Sequence, residues 1–460
     1  MKHILPSLYI VAVLIVFPAG SAFSPENVQA ASKKDFNIVL ITIDTLRADH
    51  LSCYGYERET SPHMDKIAEE GILFKNVIAP SSWTAPSMVS LFTSTYPVNH
   101  GVVYGLQWKR KKKYIQDAFS EKLTTLPEML KAHDYTTFGV SSNHNLTADL
   151  GFARGFHYFE YAGNAEPADR VNKIVSSWED KIKGVKKFFL WVHYMDPHHP
   201  YHDQFPWIAQ YSSPSLTRTL NFTDKSAGEL NRLIPTFKEN PQHLSNLIAL
   251  YDSEINYVDS HIGQLIQKFE LEKNTLLIIT SDHGEEFLEH GWIGHAHNLH
   301  RETLQVPLII KLPYSSEKIM VNKPINLIDV VPTMLDILDI EAPVHAIVKS
   351  ALKKEGLLFF LERMFMGNGE PEYSFSEIDR LLNLKAVITP QWKYIYDYTN
   401  EAEQLYNIKS DPGEITNLAD KESDRCTKFK NDLLSWVSGD KKYPVAKQQV
   451  QLSNEEEDKQ

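Results

Sequence analysis

Four short apolar segments, rich in β-branched residues, do most to limit the folds open to this chain of 460 residues. Short runs of this kind are typical of strands that are buried on both faces of a parallel sheet. Helical patterns separate them, so the alternation predicts an α/β fold, a mostly parallel sheet flanked by helices. The predicted strands are residues 37–44 (NIVLITID), 136–142 (TTFGVSS), 186–196 (KKFFLWVHYMD) and 274–282 (NTLLIITSD).

Acidic and imidazole side chains follow these predicted strands. Asp44 and Asp282 end two of them, and His198 follows a third in the segment DPHHP. Ligands of open α/β sheets bind beyond the carboxyl ends of the strands, so these distant residues are predicted to converge there. Asp282 also lies in the stretch TSDHGEEFLEHGWIGHAHNLH, whose carboxylates and imidazoles suit a divalent cation. The alternative is a surface cluster of acids and histidines that holds no metal.

Thr84 stands in the stretch SSWTAPSMVSLFTSTYP, just ahead of Pro86. Proline is tolerated in the first turn of a helix, so Thr84 is predicted to lie at or just before a helix N-terminus. Unpaired NH groups and the helix dipole favour an anion there, which would bring the hydroxyl to a phosphate or sulfate ester. The alternative is that Thr84 or Ser82 only caps the helix.

The charge balance and the N-terminus limit the partners of the protein. A formal net charge of -12, with one dense basic run at residues 109–113, argues against a nucleic-acid binder. Residues 1–30 have a basic start, an apolar run and small residues near the end, as a secretory signal does. We therefore predict a periplasmic or secreted protein, with an uncleaved membrane anchor as the alternative. Two cysteines allow one disulfide at most.

The composition also changes along the chain. A catalytic domain is predicted at residues 35–343, followed by a connecting segment at 344–372. Short aromatic strands and turn residues then predict a small C-terminal antiparallel-sheet subdomain at 373–440. Residues 441–460 are predicted to form a polar tail, and the acids Asp252, Glu254 and Asp259 are expected on the polar face of a helix.

Eight segments give the chain a resemblance to a known family. In order they are NIVLITIDTLRADHLSCYGY, SPHMDKIAEEGILFKNVIAPSSWTAPSMVSLFTSTYPVNHGV, DPHHPY, YDSEINYVDSHIGQLI, TSDHGEEFLEHG, VPLII, LIDVVPTMLDI and LYNIKSDPGEITNL. The chain resembles the sulfatase family of the alkaline phosphatase superfamily over residues 37–418. The resemblance implies an alkaline-phosphatase-like fold and a hydrolase that acts on sulfate esters.

The resemblance also assigns roles to individual residues. Asp44 matches the first of the family's paired N-terminal aspartates, and Asp282 and His283 match its later metal-binding pair. His198 matches a histidine near the scissile ester, and His297 falls where the family has a lysine or histidine facing the leaving-group oxygen. The implied cofactor is one divalent metal ion, calcium first, with magnesium, manganese and zinc as alternatives.

The chain departs from the family at the nucleophile. The family motif begins with a cysteine or serine that is oxidised to formylglycine, and its last residue is arginine; here Thr84 and Met88 stand at those places. The second aspartate of the N-terminal pair is Thr45, and the segment that carries a sulfate-facing lysine and histidine reads GVSSNHN. Related enzymes of the superfamily attack phosphorus directly with a metal-bound threonine, and Asp44, Thr84, Asp282 and His283 would make such a set.

Three functions follow from these observations. The first is an exported sulfatase-like enzyme that hydrolyses a sulfate ester with a metal ion bound by Asp44, Thr84, Asp282 and His283. In that enzyme Thr84, His198 and His297 are the predicted catalytic residues. The second is a phosphodiester or phosphonate hydrolase, or a phosphoryl-group transferase, that uses Thr84 directly. The third is a pseudoenzyme that binds an anionic glycan or partner. The substrate is expected to be an anionic ester on a glycan or a lipid headgroup.

Overall fold

A computed structural model describes residues 35–105, 107–109, 113–212, 222–313, 315–343, 373–380, 382–439 and 446–450. The predicted signal at 1–30 and the predicted connecting segment at 344–372 lie outside the described residues. The same holds for most of the predicted polar tail, of which residues 446–450 form a strand.

Eighteen strands and twelve α-helices make up the described part of the chain. The strands are β1 (Asn37–Ile43), β2 (Ile72–Ile78), β3 (Gln107–Lys109), β4 (Lys113–Ala118), β5 (Thr136–Ser141), β6 (Tyr158–Tyr161), β7 (Phe188–Tyr194), β8 (Thr275–Ser281), β9 (Glu286–Phe287), β10 (Ile293–Gly294), β11 (Gln305–Lys311), β12 (Ile319–Val321), β13 (Ile325–Asn326), β14 (Ser374–Asp379), β15 (Asn383–Ile388), β16 (Lys393–Asp397), β17 (Ala402–Tyr406) and β18 (Ala446–Val450). The helices are α1 (Pro62–Glu69), α2 (Thr84–Thr93), α3 (Pro97–His100), α4 (Leu126–Lys131), α5 (Ala168–Ser177), α6 (Glu179–Lys183), α7 (Ala227–Arg232), α8 (Ile234–Glu239), α9 (Pro241–Lys268), α10 (Arg301–Leu304), α11 (Val330–Ile337) and α12 (Ser423–Ser438).

A large, mostly parallel sheet forms the centre of the protein. Its strand order is β12-β2-β11-β8-β1-β7-β5-β6, with β13 also paired to β2. The four strands predicted from the sequence are β1, β5, β7 and β8, which are parallel neighbours in the order β8-β1-β7-β5. The predicted α/β fold is thereby confirmed. The antiparallel member is β11, which runs opposite to both β2 and β8.

Two hydrophobic cores cover the two faces of this sheet. Leu40 of β1 belongs to one core and its neighbour Ile41 to the other, because successive side chains of a strand point to opposite faces. Both residues are fully buried, as expected for a central parallel strand.

The C-terminal residues form the predicted small antiparallel sheet, in the order β14-β15-β16-β17. One face of this sheet joins a core of the main sheet, through residues such as Ala386, and the other face packs on α12 through Val387, Phe429 and Leu433. The small sheet is therefore part of the packed molecule.

Helix α9 corrects the expectation for three acids. Asp252, Glu254 and Asp259 are all buried, so they do not lie on a solvated face. Asp252 accepts hydrogen bonds from Tyr56 and Arg58, and Asp259 accepts from two backbone amides of α1. The expectation was wrong because other elements pack around most of α9. Its acidic side chains therefore accept hydrogen bonds from those elements and not from solvent.

Two further properties bear on the sequence-based expectations. Cys53 and Cys426 are both unpaired, so the one disulfide that the composition allowed is not formed. Within the described ranges, no helix combines the length and the apolar character needed to cross a membrane.

Candidate active site

The residues predicted to bind a metal meet at the carboxyl ends of β1 and β8. Asp44 directly follows β1, Asp282 and His283 directly follow β8, and Thr84 is the first residue of α2. The Thr84 hydroxyl lies 3.4 Å from Asp44 Oδ2 and 3.3 Å from His283 Nε2. His283 Nε2 in turn lies 3.5 Å from Asp44 Oδ1 and 3.5 Å from Asp282 Oδ2. These four side chains form what we call the carboxylate site.

The donor atoms of the carboxylate site suit a divalent cation. One ligand atom each from Asp44, Asp282 and His283 lies within 4.8 Å of the others. Asp44 Oδ1 and Asp282 Oδ2 are buried and have no hydrogen-bond partner. His283 Nδ1 donates to the Gly284 carbonyl oxygen at 2.9 Å, which leaves the lone pair of Nε2 directed at the carboxylates. A cation among these atoms would satisfy both unpaired oxygens.

The electrostatics of the site lead to the same conclusion. Burial alone would raise the pKa of Asp44, but the hydrogen bond from His193 and the nearby imidazoles hold that pKa well below its usual value. Burial and the neighbouring Asp44 carboxylate raise the pKa of Asp282 to about 6. Two buried carboxylates at close range resist joint ionisation, and a divalent cation between them removes that conflict.

Asp44 is oriented by residues that the sequence analysis did not single out. Trp191 Nε1 donates to the Thr42 hydroxyl at 3.0 Å, and Thr42 Oγ1 lies 2.8 Å from His193 Nδ1. His193 Nε2 lies 3.2 Å from Asp44 Oδ2, so the proton belongs on Nε2 and the Thr42 hydroxyl donates to Nδ1. A polar residue in the buried strand segment FFLWVHY is the signal that would have identified His193.

Asn143 is a second such residue. It follows β5, and its amide nitrogen donates to Asp44 Oδ2 at 2.6 Å and lies 3.4 Å from the Thr84 hydroxyl. The Asn143 side-chain oxygen accepts from the Asn145 backbone NH at 2.8 Å, which fixes the direction of the amide. The rule that polar residues after parallel strands converge would have found Asn143 as well.

Thr84 does not act as a simple helix cap. The N-cap residue of α2 is Trp83, without a side-chain cap hydrogen bond, and the Ser82 hydroxyl is buried without a hydrogen-bond partner. Thr84 is 3% exposed, and its hydroxyl faces Asp44 and His283. Met88, one turn further on, is fully buried in the core.

The structure separates the two predicted catalytic histidines. His198 lies with His199 and His295 beside the carboxylate site. His297 instead contacts Glu286 at 2.7 Å and lines a cleft against the C-terminal sheet with Trp292. His295, to which the sequence analysis assigned no role, has its ring centroid 4.5 Å from that of His283. His295, two residues earlier in the same loop, is therefore the one that borders the site.

Comparisons with known proteins identify the family of the chain. The sulfatase family model matches residues 36–340, and a model of the C-terminal region of N-sulphoglucosamine sulphohydrolase matches residues 288–436. The chain is 24% identical over 430 residues to an uncharacterized sulfatase, YidJ, of Escherichia coli, covering 84% of this chain and 83% of that protein. It is 22% identical over 505 residues to an N-acetylglucosamine-6-O-sulfatase of Bacteroides thetaiotaomicron, covering 89% and 87%.

A solved structure shows the same fold. The phosphonate monoester hydrolase of Agrobacterium radiobacter superposes with a TM-score of 0.64 and 20% identity, covering 87% of this chain and 95% of that one. The sulfatase family model matches well over half of the length of the present chain, so this chain belongs to the sulfatase family. It is a hydrolase that acts on ester bonds.

Proposed function

We propose that this protein is an exported, divalent-metal-dependent hydrolase of a sulfate ester, and that the Thr84 hydroxyl is its nucleophile. The observation that carries the proposal is the position of Thr84 Oγ1, 3.4 Å from Asp44 Oδ2 and 3.3 Å from His283 Nε2, at the first residue of a helix. The family supports the sulfate ester, and a relative named for a sugar sulfate supports a glycan as its carrier.

The carboxylate site would hold the metal through Asp44, Asp282, His283 and the Thr84 oxygen. A bound divalent cation there would lower the pKa of the hydroxyl and neutralise charge on the ester oxygens. Asn143 and His193 keep the Asp44 carboxylate in position by hydrogen bonds to Oδ2.

The reaction is a double displacement at the ester. Thr84 Oγ1 forms a bond to sulfur while the bond to the ester oxygen breaks, and the leaving oxygen keeps the bonding electrons. The hydroxyl hydrogen-bonds to Asp44 Oδ2 and loses its proton to water. The leaving oxygen takes a proton from water beside His198 and His295, which border the site as neutral imidazoles because burial lowers their pKa. Water then cleaves the sulfothreonine, which returns the hydroxyl and releases sulfate.

A phosphorus ester is the second candidate substrate. Thr84 stands where the family has the cysteine or serine that becomes formylglycine. The buried Met88 stands where the family motif has its arginine. A direct threonine nucleophile suits a phosphodiester or a phosphonate monoester in the same displacement, and one solved protein of the same fold is a phosphonate monoester hydrolase.

A substrate and nucleophile test decides between these candidates. The protein is assayed with p-nitrophenyl sulfate, monosaccharide sulfates, bis(p-nitrophenyl) phosphate and a p-nitrophenyl phosphonate, each with calcium, magnesium, manganese or zinc. We expect turnover of sulfates, and intact mass should show a sulfuryl group on Thr84. Turnover of phosphorus esters alone, with a phosphorylated Thr84, would support the second candidate.

Substitutions at α2 test the nucleophile itself. Thr84→Ala should lower kcat/KM on the order of 10⁴-fold or more, because it removes the attacking oxygen, and Thr84→Ser should keep measurable activity. Thr93→Ala, at the other end of the same helix, is the matched control and should retain activity. Turnover by Thr84→Ala equal to the parent would refute the proposed nucleophile.

A further inference from the structure

Three histidines form a second group of potential metal ligands beside the carboxylate site. One ring nitrogen each from His198, His199 and His295 lies within 4.8 Å of the others. The ring centroids are 4.2 Å apart for His198 and His199, 4.9 Å for His198 and His295, and 5.2 Å for His199 and His295. We call these residues the triple-histidine cluster.

In all three rings Nδ1 is already engaged. His198 Nδ1 contacts the His199 carbonyl oxygen, His199 Nδ1 lies 3.3 Å from Glu285 Oε2, and His295 Nδ1 lies 2.8 Å from Glu285 Oε1. Each partner is an acceptor, so each Nδ1 carries the proton and each Nε2 keeps its lone pair. Histidines that bind a metal in proteins are held by this arrangement, with the non-ligating NH donated to a carboxylate or a carbonyl.

Glu285 holds two histidines of the cluster in place. Its carboxylate is fully buried and uses one oxygen for His295 and the other for His199 and the Tyr201 hydroxyl, which donates at 2.9 Å. Desolvation of a buried carboxylate is costly, and here its two oxygens orient two imidazoles. The histidines themselves are partly exposed, with 17% of the His199 side chain and 10% of the His295 side chain accessible.

We propose that His198, His199 and His295 bind a second metal ion, of the zinc class, next to the carboxylate site. Three imidazole nitrogens with one open position suit zinc, whereas the carboxylate-rich first site also suits calcium or magnesium. The ring of His295 contacts that of His283 at 4.5 Å between centroids, so the two sites are adjacent.

This inference rests on the proposed function in one respect, namely that one anionic ester reaches both adjacent sites. Paired cations bind the attacking and the leaving oxygens in two-metal hydrolases. With the triple-histidine cluster occupied, the ion would stabilise the leaving oxygen.

Metal counting on the full chain tests the proposal. The protein is stripped with a chelator, loaded with zinc or with cobalt(II), desalted and analysed by elemental mass spectrometry, and the cobalt form is also measured by visible absorption. We expect two ions in the parent protein. His199→Ala and His295→Gln should each lose one ion. In both variants the cobalt absorption that belongs to the triple-histidine cluster should disappear.

Three further variants separate the two sites. Asp282→Asn should also hold one ion but should keep the cobalt spectrum of the triple-histidine cluster. Glu285→Gln should weaken binding of the second ion about 10- to 100-fold, and leave the first unchanged, because it alters only the orientation of the imidazoles. His202→Ala, in the same segment but exposed and paired with Asp224, is the matched control and should hold two ions.

One ion per chain at saturating zinc in the parent would overturn the second site. An unchanged zinc count in both His199→Ala and His295→Gln would do the same. Neither result bears on the proposed nucleophile. The proposed function would still hold if Asp282→Asn lost one ion and Thr84→Ala were inactive. Conversely, an active Thr84→Ala with two ions in the parent would refute the nucleophile alone.

Discussion

At the scale of single residues, one carboxylate oxygen of Asp44 accepts hydrogen bonds from the protein and the other accepts none. Oδ2 accepts from Asn143 at 2.6 Å and from His193 at 3.2 Å, whereas Oδ1 has no hydrogen-bond partner. Buried polar atoms are rarely left unpaired without a reason. The two supporting residues therefore fix the carboxylate so that the free oxygen points to the place where we expect the metal.

His193→Gln should test this support. The change breaks the chain of hydrogen bonds from Trp191 through Thr42 to Asp44, and we expect metal affinity and kcat/KM to fall about 10- to 100-fold. Isothermal titration with the activating metal and initial rates measure the two effects. His157→Gln is the matched control, because His157 also binds a threonine, Thr137 at 2.9 Å, but lies outside the site. Equal losses in both variants would show that the effect is structural.

The sequence predicted the convergence of Asp44 and Asp282, because residues that follow neighbouring parallel strands must meet at one edge of the sheet, and the resemblance to the family added Thr84 and His283. Whether these residues ligate a metal stays a prediction. For the loop after β8 the resemblance assigned His297 to the leaving-group oxygen, whereas His295 is the histidine beside His283. His295 and His297 are two residues apart in a short irregular hairpin, where no periodicity assigns a direction to a side chain.

At the scale of elements, the segments with the strongest local pattern were predicted best. β1 and β8 each end one residue before the predicted boundary, because a short β-branched run leaves few alternatives. Strand direction is not a local property, and the antiparallel placement of β11 depends on its partners β2 and β8. The burial of the acids on α9 likewise depends on what packs around the helix.

Asp259 connects α9 to α1 through its carboxylate. Its two carboxylate oxygens accept from the backbone NH groups of His63 and Met64 at 2.9 and 2.8 Å, so a residue of α9 caps the N-terminus of α1. Asp259→Ala should lower the free energy of unfolding by about 0.5–2 kcal/mol, the usual effect of losing a cap. Urea denaturation measures it.

Two comparisons sharpen that experiment. Burial raises the pKa of Asp259 to about 7, and Asp259→Asn removes the charge while keeping one acceptor oxygen, so its loss should be smaller. Asp424→Ala, at an exposed position in the first turn of α12, should change stability by no more than about 0.5 kcal/mol. A loss in Asp259→Ala as small as that of Asp424→Ala would contradict the cap.

At the scale of the whole molecule, a buried polar network joins the C-terminal residues to the loop that carries His295. Glu414 accepts from Lys393 at 2.6 Å and pairs with His300 at 2.9 Å. The ring of His300 stacks on that of His290, with centroids 3.6 Å apart, and His290 Nδ1 lies 2.7 Å from Glu302. The small antiparallel sheet therefore supports the edge of the active site as well as a hydrophobic core.

This network should make stability depend on pH in a defined direction. Burial lowers the pKa of His290, but the hydrogen bonds and charges of Glu302 and Glu414 outweigh it and raise that pKa to about 9. The unfolded value is about 6.5, so protonation of His290 favours the folded state. Its contribution is complete below about pH 6.5 and is lost as the pH rises through 9.

His290→Gln removes that contribution, so its stability deficit relative to the parent should be largest at pH 6, about 1–2 kcal/mol after allowance for solvent screening, and should shrink toward pH 10. Urea midpoints of both proteins across this range measure the difference, and subtraction cancels titrations that the two share. His133→Gln, at an exposed position, should show a small difference that does not vary with pH. A deficit that grows with pH would mean that His290 is neutral in the folded protein and that its Glu302 contact is an ordinary hydrogen bond.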